Sequence, residues 1–564
     1  MNRTTALLVA AAILLGHALA IHKTAGGEIA PPYDVAYVAF RIARNFVQTG
    51  HFAWETGVAS GDSYPSLVWI GVAAIAERLY LHVNQICQAL SMLAAFACVF
   101  TLAQFSPVRL SGAIAPLLFV VSGGIASAAL SGTETSTLAF LVLFAFLAYE
   151  RGWRWCLGVS LALTVVARPQ GLLFALCLLS IEVARRVFAK KDAAPRKTLW
   201  LAFGAPLALA LIVGVLRHQA TGHFDDPWLA QLLELKPRVA REGAWYLLDF
   251  VVASGNALLF VFPLWYLARG VLSGVGARAC VLTLAWATAI GLAGGGHLPF
   301  FEALTPIVAV MLVAVQEAMQ IALDSKRRAW PKVTWTLFVL GLCGSALASK
   351  FPGDLGPVPF ESVQRAWMTP RTLARFGYEE PLGRMGLAEE ILATERLREI
   401  GIFLRDHLDP SSTVLSPWPG AIGYLSRLTV IDPLGRTTPS PGADRTRAWE
   451  GLPRADVAGA LAQRPDYIVP TIRFGPEAPT AYSIAAAWAK SLDNEPNAKQ
   501  RSTGIHSQLI GYELITLPVT NPFRRPGTFP RSQFQMMRRR DLGLSPKLLV
   551  ALDERVLTIE LEHR

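Results

Sequence analysis

Asp34-Val35-Ala36-Tyr37-Val38-Ala39-Phe40-Arg41-Ile42-Ala43-Arg44-Asn45 is the stretch on which the reading of this chain turns. Continued as a helix to Gln48, it places Val35, Val38, Ala39, Ile42 and Phe46 on one face and Asp34, Tyr37, Arg41, Asn45 and Gln48 on the other. The spacing predicts an amphipathic helix lying flat on a membrane, with a carboxylate and a guanidinium held above the headgroups. The flanking sequence supplies the membrane. Apolar runs lie near 5–21, 85–104, 111–130, 133–149, 154–167, 169–183, 198–216, 245–268, 280–296, 303–323 and 333–349. A twelfth, 66–76, is short and ends at Glu77 and Arg78, so it is expected to lie on or dip into the outer leaflet.

The composition agrees: 564 residues, 53% hydrophobic and 16% charged, with a mean hydropathy of +0.39, exclude an ordinary soluble enzyme and a disordered chain. All six cysteines, at 87, 98, 156, 177, 280 and 343, fall in the hydrophobic first two thirds, which excludes a disulfide scaffold. Much of the net charge of +11 lies in short loops, so it reports membrane topology and no nucleic-acid partner. Arg185, Arg186, Lys190, Lys191, Arg196 and Lys197 in one connection, and Lys326, Arg327, Arg328 and Lys332 in another, are expected on the cytoplasmic side. With Arg3 inside and 66–76 not crossing, eleven spans close the charge pattern. Loops 22–84 and 217–244 and everything after 350 then lie outside. Ala18-Leu19-Ala20 before Ile21 resembles a signal-peptidase site, and the outward placement of residue 22 onward holds with or without cleavage.

Two units result: a transmembrane module, 1–349, and an extracytoplasmic α/β domain, 350–564. In the second, Leu392 to His407 reads as a helix and Ser412–Leu415, Leu428–Ile431 and Asp466–Val469 as short strands.

With that map in place, the opening stretch resembles the Asp-Asp-Ala-Tyr-Ile-x-Phe-Arg-x-x-Arg-Asn signature of GT-C type membrane glycosyltransferases, the group that includes the mycobacterial terminal arabinofuranosyltransferases. Asp62-Ser63-Tyr64-Pro65-Ser66, Ser131-Gly132-Thr133-Glu134-Thr135 and Arg168-Pro169-Gln170-Gly171 resemble that family's Glu-Gly-Tyr-Thr-Ser, Ser-Gly-Leu-Glu-Thr and Arg-Pro-Glu-Gly. Gly420-Ala421-Ile422-Gly423-Tyr424 and Ile431-Asp432-Pro433-Leu434-Gly435 resemble its Gly-Ala-Ile-Gly-Tyr and Ile-Asp-Leu-Leu-Gly. The chain departs from the pattern at Val35, where the family has a second aspartate, and at Gln170. It departs again where Gly294-Gly295-Gly296-His297 and Glu302 replace Gly-Gly-Asp and an arginine.

The resemblance implies transfer of a sugar from a polyprenyl-phosphate donor to a hydroxyl of a cell-envelope glycan, glycolipid or protein on the outer face of a bacterial inner membrane. Such a reaction needs a base for the acceptor, positive charge for the phosphate, and a fixed approach. Asp34 is the expected base and Asp62 a second acid, able to orient the acceptor or to hold a divalent metal ion through oxygen. Arg41, Arg44 and Arg168 are the expected phosphate ligands, because a guanidinium is always charged and grips phosphate through two donors. Glu134 opens a span beside them, and His223, Asp225 and Asp226 form a polar cluster in the second outer loop. His297 and Glu302 read as packing or interface groups. Each candidate has a plainer reading: helix cap for Asp34, solvated turn acid for Asp62, headgroup anchor for Arg41 and Arg44, helix-start charge for Glu134, snorkelling arginine for Arg168, and exposed loop for His223, Asp225 and Asp226. A non-catalytic envelope scaffold therefore stands as the alternative. A transporter predicts paired interrupted helices, and Arg168-Pro169 is the only obvious interruption.

Overall fold

The computed structural model describes most of 3–348, apart from 25–31, 56–65, 106–109, 189–199, most of 222–234, 254–259, 269–273, 297–298 and 326–328. Beyond that it describes 386–433, 456–470, 498–520 and 531–543 with a few single positions. Asp62, His223, Asp225, Asp226 and His297 lie outside the described residues, as does the boundary at 349/350.

Helices dominate. In chain order they are α1 (Arg3–Thr24), α2 (Asp34–Thr49), α3 (Leu67–Arg78), α4 (Val83–Leu102), α5 (Ile114–Val120), α6 (Gly123–Leu130), α7 (Thr135–Arg151), α8 (Arg154–Ala167), α9 (Gln170–Phe188) and α10 (Ala205–Thr221). There follow α11 (Pro237–Ala253), α12 (Val261–Ala268), α13 (Val275–Leu292), α14 (Thr305–Leu323) and α15 (Ala329–Ala348). Among the described residues three segments are long and apolar enough to cross a bilayer: Val83–Phe105, Val275–Leu292 and Phe301–Leu323. A fourth is reached if Gly124–Leu130 and Thr135–Arg151 count as one span broken by a 116° bend. The bundle core is made by α4, α5, α6, α7 and α14, with Leu138, Val142, Phe146, Val310 and Met311 among its buried side chains.

The run 111–130, expected as one span, is instead two short helices parted at Val121 and Ser122, ahead of Gly123-Gly124. Paired glycines give up helical stability, and a count of apolar residues does not register that loss. The run 245–268 falls on α11, described to Ala253, and α12, described from Val261, with 254–259 outside the described residues. Segment 66–76 forms α3, whose twelve residues reach only about 18 Å, short of a bilayer core of about 30 Å.

The C-terminal part carries α16 (Gly386–His407), β1 (Thr413–Leu415), α17 (Pro419–Ser426), β2 (Thr429–Ile431), α18 (Val457–Ala462), β3 (Tyr467–Ile468), α19 (Ala498–Leu509), β4 (Tyr512–Thr520) and β5 (Arg531–Arg539). The sheet order is β2-β1-β3-β5-β4; β1 pairs in parallel with β2 and β3, while β5 pairs antiparallel with β3 and β4. Successive strand residues face opposite ways. Leu415, Ile431 and Ile468 pack against α18 and α19, and Val414, Val430 and Tyr467 face the other side.

That other side is the surprise of the fold. It shares one core with α2 and α3, where Tyr37, Phe40, Trp54, Trp69 and Ile70 join Leu397, Ile400, Ala421 and Ile422. Every residue from Ala36 to Ala43 is buried, Arg41 included. The flat-lying helix expected from the sequence is thus corrected: α2 is an internal strut, and the C-terminal part covers its polar stripe. Helical periodicity tells which face is polar and says nothing of whether that face meets water or another element.

Candidate active site

The expected site residues that are described fall into two groups. Asp34, Arg41 and Arg44 belong to the contact of α2 with α17. Glu134 and Arg168 belong to a buried cluster within the bundle.

At the first, the Asp34 carboxylate accepts the amides of Ala421, 2.7 Å, and Gly420, 3.3 Å, the first residues of α17 after Pro419. Orphan amides at a helix start attract a carboxylate, so Asp34 caps a helix distant in sequence. Arg41 is 5% exposed. It donates to the carbonyls of Trp54, 3.1 Å, and Leu428, 2.9 Å, pairs with Glu55, and lies 4.3 Å from the Trp54 ring centroid. Glu55 also accepts the amide of Val430 on β2, 3.2 Å. Burial pushes the Glu55 carboxyl above its ordinary value, and Arg41 only partly offsets it. Burial likewise lowers Arg41, again partly offset by Glu55. Arg44 donates to the Tyr424 carbonyl, 2.6 Å, covers that ring at 3.6 Å, and lies 3.6 Å from Glu77. Burial pushes the Tyr424 hydroxyl up to about 12, so it stays protonated and donates to Glu77, 2.8 Å. Arg41 and Arg44, two of the three arginines expected to grip phosphate, are therefore engaged by the protein, and Asp34 is likewise held by α17.

The second group is built around Arg168, the extended residue that ends α8. Its Nε lies 2.5 Å from Glu134 Oε1, and its second terminal nitrogen lies 3.3 Å from both Glu302 Oε1 and Thr135 Oγ1. Thr133, at 3.2 Å, and Thr135 also donate to Glu302 Oε1. Three donors thus converge on one oxygen of Glu302, which is 3% exposed, while its Oε2 is buried with no partner among the described residues. Two carboxylates share one guanidinium, a poor environment for phosphate. Arg168, expected as a phosphate ligand, is the cation shared by two acids.

The local chain explains how the cluster is held. Gly132, at φ +68°, turns the backbone between α6 and α7, and a Cβ there would stand 2.6 Å from Pro32 Cβ. Four neighbours grip the turn: Tyr33 N on Ser131 O, 2.8 Å; Trp69 Nε1 on Gly132 O, 2.6 Å; Gln88 Nε2 on Leu130 O, 2.9 Å; and Ser91 Oγ on Thr133 O, 2.8 Å. Tyr33 adjoins Asp34, so the two groups are neighbours through the backbone. On the far side Phe301, at φ +57°, leads into Glu302, a conformation that costs a bulky residue about 1–3 kcal/mol. Its ring is fixed by Tyr246 and Phe250, with centroids at 5.1 and 5.5 Å.

Glu302 is the residue that sequence reasoning set aside. The signal was there: an acid opening a long apolar run, with no cation within four positions, must find one elsewhere in the fold. Among the described residues no group of three or more His, Cys, Asp or Glu side chains is placed to hold a metal ion. Glu134 and Glu302 share Arg168 as their cation, and no third such ligand stands with them among the described residues.

A family model described as a domain of unknown function (DUF8728) matches residues 388–507. No curated protein matches the chain. Among solved structures, the chain is similar to the Archaeoglobus fulgidus oligosaccharyltransferase in its apo form, at 14% identity and a TM-score of 0.49 over 88% of this chain and 72% of that one. It is similar to Archaeoglobus fulgidus AglB in complex with an inhibitory peptide and a dolichol-phosphate, at 13% and 0.49, over 96% and 75%. It is also similar to Cupriavidus metallidurans ArnT bound to undecaprenyl phosphate, at 12% and 0.49, over 76% and 86%.

Proposed function

We propose that this chain is a GT-C type membrane glycosyltransferase that moves a sugar from a polyprenyl-phosphate donor to a hydroxyl of a cell-envelope glycan, glycolipid or protein at the outer face of a bacterial inner membrane. The observation that carries the proposal is the Glu134–Arg168–Glu302 cluster. Ionisable groups inside an apolar bundle are costly, and two acids on one arginine with a buried, unpartnered carboxylate oxygen is chemistry beyond what packing needs. The motif resemblance at Asp34, Ser131–Thr135 and Arg168 supports the same class.

In this reading the acceptor hydroxyl gives its proton to Glu302 Oε2 as its oxygen bonds to the anomeric carbon. The bond from that carbon to the phosphate oxygen breaks, and its electron pair leaves with the polyprenyl phosphate. Arg168 and the two threonine hydroxyls hold the other oxygen of Glu302 and so fix the direction of the open one. Asp34, Arg41 and Arg44 act at one remove, by seating the C-terminal part beside the cluster.

Glu302→Gln tests this. The variant leaves Glu134 and Arg168 as a neutral pair and keeps a carbonyl for the threonines, so abundance in the membrane is expected to be unchanged. Sugar transfer, read as the glycan profile of a complemented deletion strain, is expected to fall about 10²- to 10⁴-fold, the usual contribution of a positioned base. The engagement of Asp34 and Arg44 by α17, and of Arg41 by Glu55 and the Trp54 and Leu428 carbonyls, favours the second reading, a non-catalytic scaffold, and a normal glycan profile from Glu302→Gln would remove the base on which the transferase reading rests.

A further inference from the structure

Where α3 and α4 meet the C-terminal part, a cavity of about 320 Å³ is lined by Pro32, Glu77, Leu81, His82, Val83, Asn84, Gln85, Gln88, Arg398 and Tyr424. None of the expected site residues that are described lines it. Its walls nevertheless continue into the cluster: Gln88 holds the carbonyl of Leu130, and Pro32 is the residue against which Gly132 packs. From this cavity the geometry points to a binding site for a neutral saccharide. Its role as acceptor subsite rests on the transferase reading above.

Charge selects the ligand. Two of the cations beside the cavity are already neutralised, Arg398 by Glu395 at 2.6 Å and Arg44 by Glu77 at 3.6 Å. A phosphate would find no uncommitted guanidinium charge in Arg44 or Arg398, and a cation would compete with Arg44 for Glu77. Beyond those paired charges, what the cavity offers is hydrogen-bonding groups on the residues that line it. Asn84 donates to the Tyr37 hydroxyl, 3.3 Å, while its Oδ1 is buried with no partner among the described residues, as is Arg398 Nε. The Gln85 amide and the oxygen of the Tyr424 hydroxyl add further acceptors, and the imidazole of His82 stands at the exposed rim. An orphaned acceptor and an orphaned donor on residues lining one cavity suit a ligand whose hydroxyls both give and take hydrogen bonds. Leaving either unmet costs about 1–3 kcal/mol. The face of Tyr424 is covered by Arg44, so recognition is by hydrogen bonds around the sugar edge and not by stacking. The volume lies near the lower end of small-molecule pockets, which suits one or two sugar rings.

Saturation-transfer NMR on the full chain in lipid nanodiscs, with the methyl glycosides of mannose, galactose and arabinofuranose as probes and no donor present, tests the inference. At least one glycoside is expected to bind, about three- to tenfold more weakly to Asn84→Leu and to Gln85→Ala, the loss that goes with one or two neutral hydrogen bonds. Gln85 is exposed, so its variant separates lost binding from lost folding. Absence of binding by all three glycosides, equal binding by both variants, or displacement of the glycoside by equimolar inorganic phosphate overturns the inference. Binding is read without turnover. If Glu302→Gln leaves the glycan profile normal while the glycoside result holds, the transferase reading falls and the saccharide site stands.

Discussion

Gly132 shows what a single residue does for this site. Its positive φ turns the chain between α6 and α7, and its missing side chain lets Pro32 close over the turn that carries Glu134. Gly132→Ala is expected to lower stability by about 1–3 kcal/mol through strain in the left-handed region, with the overlap on Pro32 added. A drop in melting temperature in detergent, with a parallel loss of transfer, would be the sign; an unchanged melt would mean that the turn relaxes freely. Charge at single residues was only half legible in the sequence. Arg168 and Glu134 announce themselves by opening or closing apolar runs. Glu302 does so equally, but its partner stands 134 residues away, and no local pattern records a pair at that distance.

Between elements, the contact of α2 with α17 depends on close backbone approach. A Cβ at Gly420 would collide with the Asp34 carbonyl oxygen, and one at Gly423 would lie 2.6 Å from Arg41. The sequence disclosed α2 almost to the residue, 34–48 against Asp34–Thr49, together with the helix before β1 and the first three strands. Which element each would meet was hidden, because periodicity is a local property and docking is not. The antiparallel pair β4 and β5 went unread too; they pair from Tyr512↔Arg539 to Thr520↔Arg531, with polar and basic residues scattered through both. Titration probes the α2 contact directly. Glu55 has its folded value raised above the ordinary 4.5, so its contribution to stability is present at acid pH and is lost as pH rises through the folded value. The melting temperature of the wild type minus that of Glu55→Gln is therefore expected to shrink as pH rises from below 4.5 toward neutrality. A difference that stays flat or grows would refute the assignment.

At the scale of the molecule, α2, α3 and the C-terminal sheet share one core and must lie on one side of any membrane. Tyr80, 95% exposed in the turn after α3, and Ile510, 57% exposed before β4, are far apart in sequence and report on that side. In a background carrying Cys156→Ala and Cys343→Ala, which removes the two exposed native thiols, Tyr80→Cys and Ile510→Cys are expected to react together with an impermeant maleimide applied to intact cells. Labelling of one without the other would break the shared core. Labelling of both only after lysis would put the unit in the cytoplasm and end the proposal of an outward-facing site.

The three charges of the cluster are made in a fixed order as the ribosome advances: Glu134, then Arg168, then Glu302. The first two emerge 34 positions apart and form a neutral couple, which enters lipid far more readily than either ion alone. Glu302 arrives 134 positions after the arginine and finds its counter-ion already installed, with the hydroxyls of Thr133 and Thr135 waiting. A nascent chain halted before that point carries a balanced interior. The short segment ahead of α14, which carries Glu302, supplies the second acid, so the three-residue cluster is completed last, once the helices up to α13 have been made.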